Sequence, residues 1–388
     1  MAPLYAAITA LFLLFLLAER ALLWYTRKQF DLVIHVNGTR GKSTVTRMIY
    51  ALLRCRGMEV FGKTTGSAAR LLLSDGTEQS VRRFGPANIR EQRNVMIKYA
   101  MTGIFTKRQN RALVLECNAV QEELQYISMK WLKPDITVIT NVRRDHVHEL
   151  GSAEQAAQIF AAAVPDDSTL VTSESNFMDT WETAAKQKRL RLRYVDPQEA
   201  EGCTLPENAA CVLAVADCLG IDRTEALESI AHYKQDAGAF GIYSWENIFF
   251  ADARAANDVE STSRLFSTAL QTLKLPPATR RILLLINRED RPDRSELFMR
   301  YVINQHRESC FDEYLCLGHA PVSFRITMKQ EGVNCRIVRN IKHFESLLTE
   351  PRQEAIFIFA AGNFGGKGKL VTEWLETKRH EPDFKVFL

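Results

Sequence analysis

At 388 residues the chain is too long for one comfortable core, so two or more domains are expected; 46% hydrophobic and 25% charged residues are ordinary globular proportions. The 50 basic and 46 acidic residues leave a net charge of only +4, which argues against a nucleic-acid binder. The eight scattered cysteines form no C-x-x-C pair and have no histidine at metal-ligand spacing beside them, so they read as reduced thiols in a cytosolic body.

The first element is apolar. Residues 4–18 carry no charge, and continuing through Glu19 and Arg20 to Trp24 and Tyr25 gives a helix long enough to cross a bilayer. No basic residue precedes the run, whereas Arg20, Arg27 and Lys28 follow it, which places the body on the cytoplasmic side. A cleaved signal peptide fits poorly, because the charged leader and a small-residue cleavage site are missing. A hydrophobic helix buried in the body or against a partner is the alternative.

Strands and helices then alternate, as in a parallel sheet covered by helices. Strands are expected over 32–36, 59–62, 112–116, 136–140, 170–173 and 190–194, with helices over 43–56, 154–163, 177–187, 206–219 and 223–234. Between the first strand and helix lies Val36-Asn37-Gly38-Thr39-Arg40-Gly41-Lys42-Ser43-Thr44. Two glycines let backbone amides turn toward an anion, Lys42 adds a point charge, and Ser43 or Thr44 offers a hydroxyl to Mg²⁺. The spacing is G-x-x-G-K-[ST] rather than the usual G-x-x-x-x-G-K-[ST], since Val36 stands where the first glycine would. Glu116 ends an apolar strand, and Asn141, Asp145 and His146 follow another; ligands gather at such strand ends in open α/β sheets. A local basic excess between Arg70 and Arg111 reads as a solvated helix face, with an anionic substrate or acidic polymer as the alternative user.

Small residues over 235–241 mark a domain joint, dividing the chain into an anchor at 1–28, a phosphate-loop domain at 29–241 and a C-terminal α/β domain at 242–388. The last is expected to carry strands over 248–251, 281–287, 313–317, 335–338 and 355–359, with helices over 261–273 and 294–305. Its loops hold Asn257-Asp258 and the cluster Arg288, Asp290, Arg291, Asp293 and Arg294. These are either an arginine clamp for a carboxylate or phosphate, or a surface ion-pair network. The segment 360–368, rich in glycine, is either a phosphate site or a tight turn.

Asn37 to Thr44, the second loop Gly62-Lys63-Thr64-Thr65-Gly66-Ser67, the strand ending at Glu116 and Asn141-Val142-Arg143-Arg144-Asp145-His146 occur in this order. Together they resemble the Mur ligase and folylpolyglutamate synthase superfamily. Gly85-Pro86-Ala87-Asn88-Ile89-Arg90-Glu91-Gln92, Ala255-Ala256-Asn257-Asp258-Val259-Glu260-Ser261-Thr262 and Asn287 to Arg294 are similar to the ligase subunit of poly-γ-glutamate synthase, the PgsB/CapB type. The resemblance covers nearly the whole chain. It implies a Mur-ligase-like ATP-binding domain with a parallel sheet, a smaller Rossmann-like C-terminal domain, and an N-terminal membrane helix.

The chemistry implied is ATP-dependent amide formation. ATP phosphorylates a glutamate γ-carboxylate, and the amine of another glutamate unit displaces phosphate from the acyl phosphate. Catalytic roles fall to Lys42, Glu116 and His146. ATP and Mg²⁺ are the cofactors, with Asn37, Gly38, Thr39, Arg40, Gly41, Lys42, Ser43, Thr44, Asn257, Asp258, Arg288 and Arg291 as nucleotide or substrate contacts. Ser43, Thr44 and Glu116 are the metal candidates, and His146 is implied for a second metal, with Asn141 and Asp145 shaping its loop. The superfamily's carbamylated lysine has no recognisable counterpart among Lys130, Lys133, Lys186, Lys188 and Lys234. The implied setting is the bacterial cell membrane, crossed once at the N-terminus through residues 4–25, with a cytoplasmic body and membrane subunits as partners. A membrane-bound P-loop ATPase that energises polymer assembly or export without forming bonds, and a small-molecule kinase, are the competing readings.

Overall fold

The computed structural model describes residues 2–66, 69–81, 88–102, 110–143, 150–203, 205–231, 233–235, 239–256, 258–348 and 355–387. Contacts divide the chain into two compact units, residues 1–236 and 237–388. The division falls a few residues before the 241/242 boundary read from composition.

The first unit opens with helix α1 (Ala2–Arg27), whose side chains from Leu4 to Leu17 are exposed. It is the one helix among the described residues long and apolar enough to cross a membrane. Strand β1 (Leu32–Asn37) follows, then α2 (Lys42–Cys55), β2 (Glu59–Thr64), β3 (Arg70–Leu72) and β4 (Glu78–Ser80). The chain continues as α3 (Arg90–Thr102), β5 (Arg111–Glu116), α4 (Glu122–Leu132), β6 (Ile136–Ile139), α5 (Ala153–Ala163) and β7 (Thr169–Thr172). It closes with α6 (Met178–Lys188), β8 (Arg191–Tyr194), α7 (Pro206–Leu219) and α8 (Arg223–Ala231).

Among the described residues these strands form an eight-stranded sheet in the order β4-β3-β2-β5-β1-β6-β7-β8. The strands from β2 to β8 are parallel, and β3 and β4 add an antiparallel edge ribbon. Alternation along β1 sends Ile34 and Val36 into a core shared with α2, α7 and α8, and Val33 into one shared with α3. Burial on both faces explains the nearly unbroken apolar runs of β1 and β5. Helix α2 puts Val45, Met48, Ile49, Leu52 and Leu53 on its buried side, the spacing of an amphipathic helix. The edges differ from the centre: β4 has three residues, and β8 exposes Arg191 and Arg193.

The second unit carries β9 (Gly241–Trp245), β10 (Ile248–Asp252), α9 (Val259–Thr272), β11 (Arg280–Asn287), α10 (Pro292–Arg307) and β12 (Glu313–Gly318). Then come α11 (Val322–Gln330), β13 (Cys335–Val338), α12 (Ile341–Leu348), β14 (Ile356–Gly362), α13 (Gly368–Lys378) and β15 (Lys385–Phe387). Its sheet order is β13-β12-β11-β14-β10-β9-β15, parallel from β13 to β10. The hairpin β9–β10 and the short β15 add an antiparallel edge. Trp245, Phe250, Phe344 and Trp374 stack edge-on or tilted within its core.

Candidate active site at the end of the first sheet

Strand β1 lies centrally, paired to β5 on one side and β6 on the other, with Val36 opposite Glu116 and Val138. The loop after it turns on two glycines with positive φ, Gly38 at 118° and Gly41 at 78°. A side chain at Gly38 would meet Thr140 Oγ1 and stand 2.9 Å from the Asn141 carbonyl, and one at Gly41 would overlap Asn208 of α7. Glycine is required here by conformation and by space.

Hydrogen bonds within the loop and with Gln125, Thr140 and Asn141 fix it. Asn37 donates from Nδ2 to Gln125 Oε1 at 2.8 Å and accepts the Gly38 amide at 2.9 Å. Asn141 clamps the Arg40 peptide, accepting its N–H on Oδ1 at 3.0 Å and donating from Nδ2 to its carbonyl at 3.2 Å. Thr140 Oγ1 donates to the same carbonyl at 2.6 Å, and the Thr39 amide donates to Asn141 O at 2.9 Å. The Lys42 ammonium donates to the carbonyls of Gly38 at 2.8 Å and Thr39 at 3.0 Å, closing the turn on itself.

Glu116, nearly buried at the end of β5, accepts Ser43 Oγ at 2.8 Å and the Thr65 amide at 2.6 Å on one oxygen, Oε2. A carboxylate, a serine hydroxyl and a partly exposed Thr44 on the first turn of α2 thus share one strand end. These are hard oxygen donors of the kind Mg²⁺ takes, so the residues fit that ion. Among the described residues no cluster of three or more His, Cys, Asp or Glu could hold a metal. Asp145 and His146 lie outside the described residues.

Beneath the site is a buried polar network. His35 Nε2 faces Gln92 Oε1 at 3.1 Å, and Ser128 Oγ donates to that same oxygen at 2.6 Å. His35 Nδ1 is buried without a hydrogen-bond partner, so the neutral Nε2–H tautomer suits the pocket. Burial lowers the His35 pKa to about 4, the Lys63 charge pushes the same way, and the Gln92 bond opposes both. Lys63, fully buried on β2, pairs with Glu91 at 3.1 Å. Burial likewise pushes the Cys117 thiol up to about 11, a packed rather than a reactive cysteine.

In the second unit the parallel strands bring the loops after β10, β11 and β14 to one edge. Arg254, fully buried, holds Asp252 with Nε at 2.7 Å and Nη2 at 2.6 Å, donates from Nη1 to the Gly368 carbonyl, and lies over Phe364. Arg294 donates to the carbonyls of Ala256 at 2.6 Å and Gly362 at 2.7 Å, tying the loop after β10 to the end of β14. Asp258 caps α9, accepting the Ser261 amide at 2.7 Å and its hydroxyl at 2.8 Å. Arg288 forks onto Asp290 at 2.9 and 2.6 Å and lies against Gly365 and Gly366, and Arg291 is exposed before α10. Asn257 lies outside the described residues.

Residues 36–204 match the Mur ligase middle domain, and residues 239–378 match the poly-gamma-glutamate synthase CapB C-terminal domain. The chain is 33% identical over 288 residues to the capsule biosynthesis protein CapB of Bacillus anthracis, an alignment covering 70% of this chain and 60% of the relative. It is 31% identical over 286 residues to the PGA synthase CapB of Bacillus subtilis (strain 168), covering 70% of this chain and 71% of that one. The chain belongs to the CapB family. It spans less than two thirds of the Bacillus anthracis relative's length. Its fold is that of Mur ligases and FolC: E. coli FolC in complex with ADP superposes with a TM-score of 0.64 at 17% identity, covering 93% of this chain and 94% of that one.

Sequence motifs located the loop, Glu116 and Asn141 in this CapB-family chain. They did not single out Thr140, Gln125 or Asn208, which pack the loop from three other elements. Asn208 looks like one more polar position on an alanine-rich helix, and only the clash it would make with a Cβ at Gly41 reveals its place. The basic stretch between Arg70 and Arg111 is also not one solvated face. Arg111 is buried, bonded to Glu59 at 2.9 Å and to the Tyr99 carbonyl at 2.9 Å, and Arg93 pairs with Glu19 of α1. Arg82, Arg83, Lys107 and Arg108 lie outside the described residues.

Proposed function

We propose that the chain is an ATP-dependent carbon–nitrogen ligase that extends poly-γ-glutamate, held in the bacterial cell membrane by α1 with its body in the cytoplasm. The observation that carries this reading is the convergence of the Gly38–Ser43 turn and Glu116 on one sheet edge, in a chain of the CapB family. The turn's amides and the Lys42 ammonium take up the charge of the ATP phosphates, a task in which such a loop and lysine are suited to positioning and neutralising. Ser43, Thr44 and Glu116 hold Mg²⁺, which supplies charge neutralisation at the transferring phosphoryl group.

A γ-carboxylate oxygen of glutamate attacks the γ-phosphorus and ADP leaves. The amine nitrogen of a second glutamate unit then attacks the acyl carbon, phosphate departs with the C–O bond electrons, and the amine's surplus proton passes to water. Asn37, Asn141 and Thr140 contribute by rigidity: they hold the Gly38 amide, the Arg40 amide and the Arg40 carbonyl, which fixes the shape of the turn before the substrate arrives. Asn257, Asp258, Arg288 and Arg291 are assigned to the nucleotide and the substrate carboxylates in the second unit, and His146 to a second metal. The growing chain and membrane subunits of an export complex are the partners.

The test is incubation of membranes carrying the chain with labelled glutamate and ATP. An acid-stable labelled polymer, phosphate released in step with amide, and a hydroxamate when hydroxylamine is added are the expected results. The Lys42→Ala variant should yield none of them. ATP turnover that ignores glutamate would make the chain an energising ATPase, and a stable phosphate ester would make it a kinase.

A further inference from the structure

Helix α1 is joined to the first unit by a ladder of contacts, and the ladder has a direction. At its lower end Arg27 donates from Nη2 to both Asp135 oxygens at 2.7 Å, from Nε to the Lys133 carbonyl at 2.9 Å and from Nη1 to the Phe30 carbonyl at 3.0 Å. Those groups sit at the N-terminal ends of β1 and β6, and Asp135 also accepts the Val33 amide at 2.7 Å. One turn back, Leu23 packs on the core that holds Val33, Val95, Met96 and Tyr99.

Two turns back from Arg27, Glu19 pairs with Arg93 in the first turn of α3, and Arg93 lies over the Trp131 ring. The neighbouring Gln92 reaches His35 on β1 and donates to Asn118, just beyond Glu116, at 2.6 Å. From Arg27 back to Glu19 the helix therefore climbs about 12 Å. It climbs from the N-terminal ends of the strands toward their C-terminal ends. The apolar stretch from Leu17 back to Leu4 continues the helix in that direction, with its side chains exposed.

We infer that α1 presents the loop-bearing edge of the first sheet, with Gly38 to Ser43 and Glu116, to the lipid surface. The helix is not a slack tether: Thr26 is fully buried, and no loop separates the last apolar turn from the first contact with the body. The step from Leu17 to Glu19 is about 3 Å. If Leu17 lies in hydrocarbon, the Glu19–Arg93 pair lies at the headgroups, and the N-terminal edge of the sheet hangs farthest from the bilayer. A bond-forming centre on the upper edge then works beside the lipid, where a polymer leaving through the membrane must start. This rests on α1 being a membrane anchor, a reading the experiment tests separately.

Full-length chain is reconstituted in vesicles of phosphatidylcholine and phosphatidylglycerol carrying a headgroup-linked acceptor dye. A donor is attached through an azide-bearing amino acid at Gln121, beside the loop end of the sheet, or at Asp166, before the start of β7. Transfer should be roughly twofold higher from Gln121, since four strand residues alone separate the two edges by about 13 Å. Equal or reversed transfer, with the chain resisting alkaline carbonate extraction, overturns the orientation while leaving the anchor intact. Release of the chain by carbonate overturns both.

Discussion

Ser43 and Glu116 meet at 2.8 Å across 73 positions of sequence, a hydroxyl on the first turn of a helix donating to a carboxylate at the end of a strand five elements later. The same carboxylate oxygen accepts the Thr65 amide, so one side chain gathers the start of α2 and the loop after β2. Replacing Glu116 by Gln keeps an oxygen for Thr65 and removes the charge. Thermal stability should change by less than about 1 kcal/mol, while hydroxamate formation falls roughly a hundredfold or more and needs more Mg²⁺. Titrating activity with Mg²⁺ beside a melting curve checks this. Normal activity at low Mg²⁺ would remove Glu116 from the metal.

Gly38→Ala places a methyl against Thr140 Oγ1 and the Asn141 carbonyl in a backbone conformation with φ of 118°. The strain should cost roughly 1–3 kcal/mol and spoil the turn at once. Denaturant unfolding and nucleotide binding by calorimetry should both suffer, with binding lost even where the chain stays folded.

Arg254 and Asp252 form a buried pair in the second unit, at 2.6 Å with side chains 0% and 5% exposed. Arg254→Met leaves Asp252 charged and unpartnered by it, which should destabilise that unit by about 3–5 kcal/mol. A double change of Asp252→Asn with Arg254→Met should recover part of the loss. Urea unfolding of the three forms measures it, and an unaltered single variant would show the pair to be worth little.

The folded-state pKa of His35, about 4, lies below its ordinary 6.5 because burial disfavours the imidazolium. Between those values the unfolded chain binds a proton that the folded chain refuses, so stability rises with pH through this window. The contribution is complete above pH 6.5 and is lost as pH falls toward 4, a total of about 3 kcal/mol. His35→Gln, which keeps a donor facing Gln92, should flatten that part of the unfolding free-energy curve measured by urea titration. An unchanged pH slope would mean that His35 is not held neutral.

Much of the architecture was legible because parallel strands buried on both faces leave long apolar runs. The ends of β1, β5, β11 and β13 fall within a residue of those read from the pattern. What escaped was short or set by partners far along the chain. The edge strands β3, β4 and β15 have three residues each, too few for any periodicity. β9 follows a stretch of small residues that hides its start, and its antiparallel pairings with β10 and β15 define it. α3 and α4 were masked by charged and polar residues, because Arg93 and Gln92 of α3 serve α1 and His35, and Gln125 and Ser128 of α4 serve Asn37 and Gln92, rather than solvent. The glycine turn could be read from its motif, whereas Thr140, Gln125 and Asn208, which brace it, lie elsewhere in the chain and gave no local sign.

The margins of the first sheet carry a consequence for life in a crowded cell. A strand of three residues at one border, and guanidinium groups from Arg191 and Arg193 along the other, give a neighbouring polypeptide little to pair with. Copies concentrated side by side should therefore resist zipping together into insoluble β-aggregates.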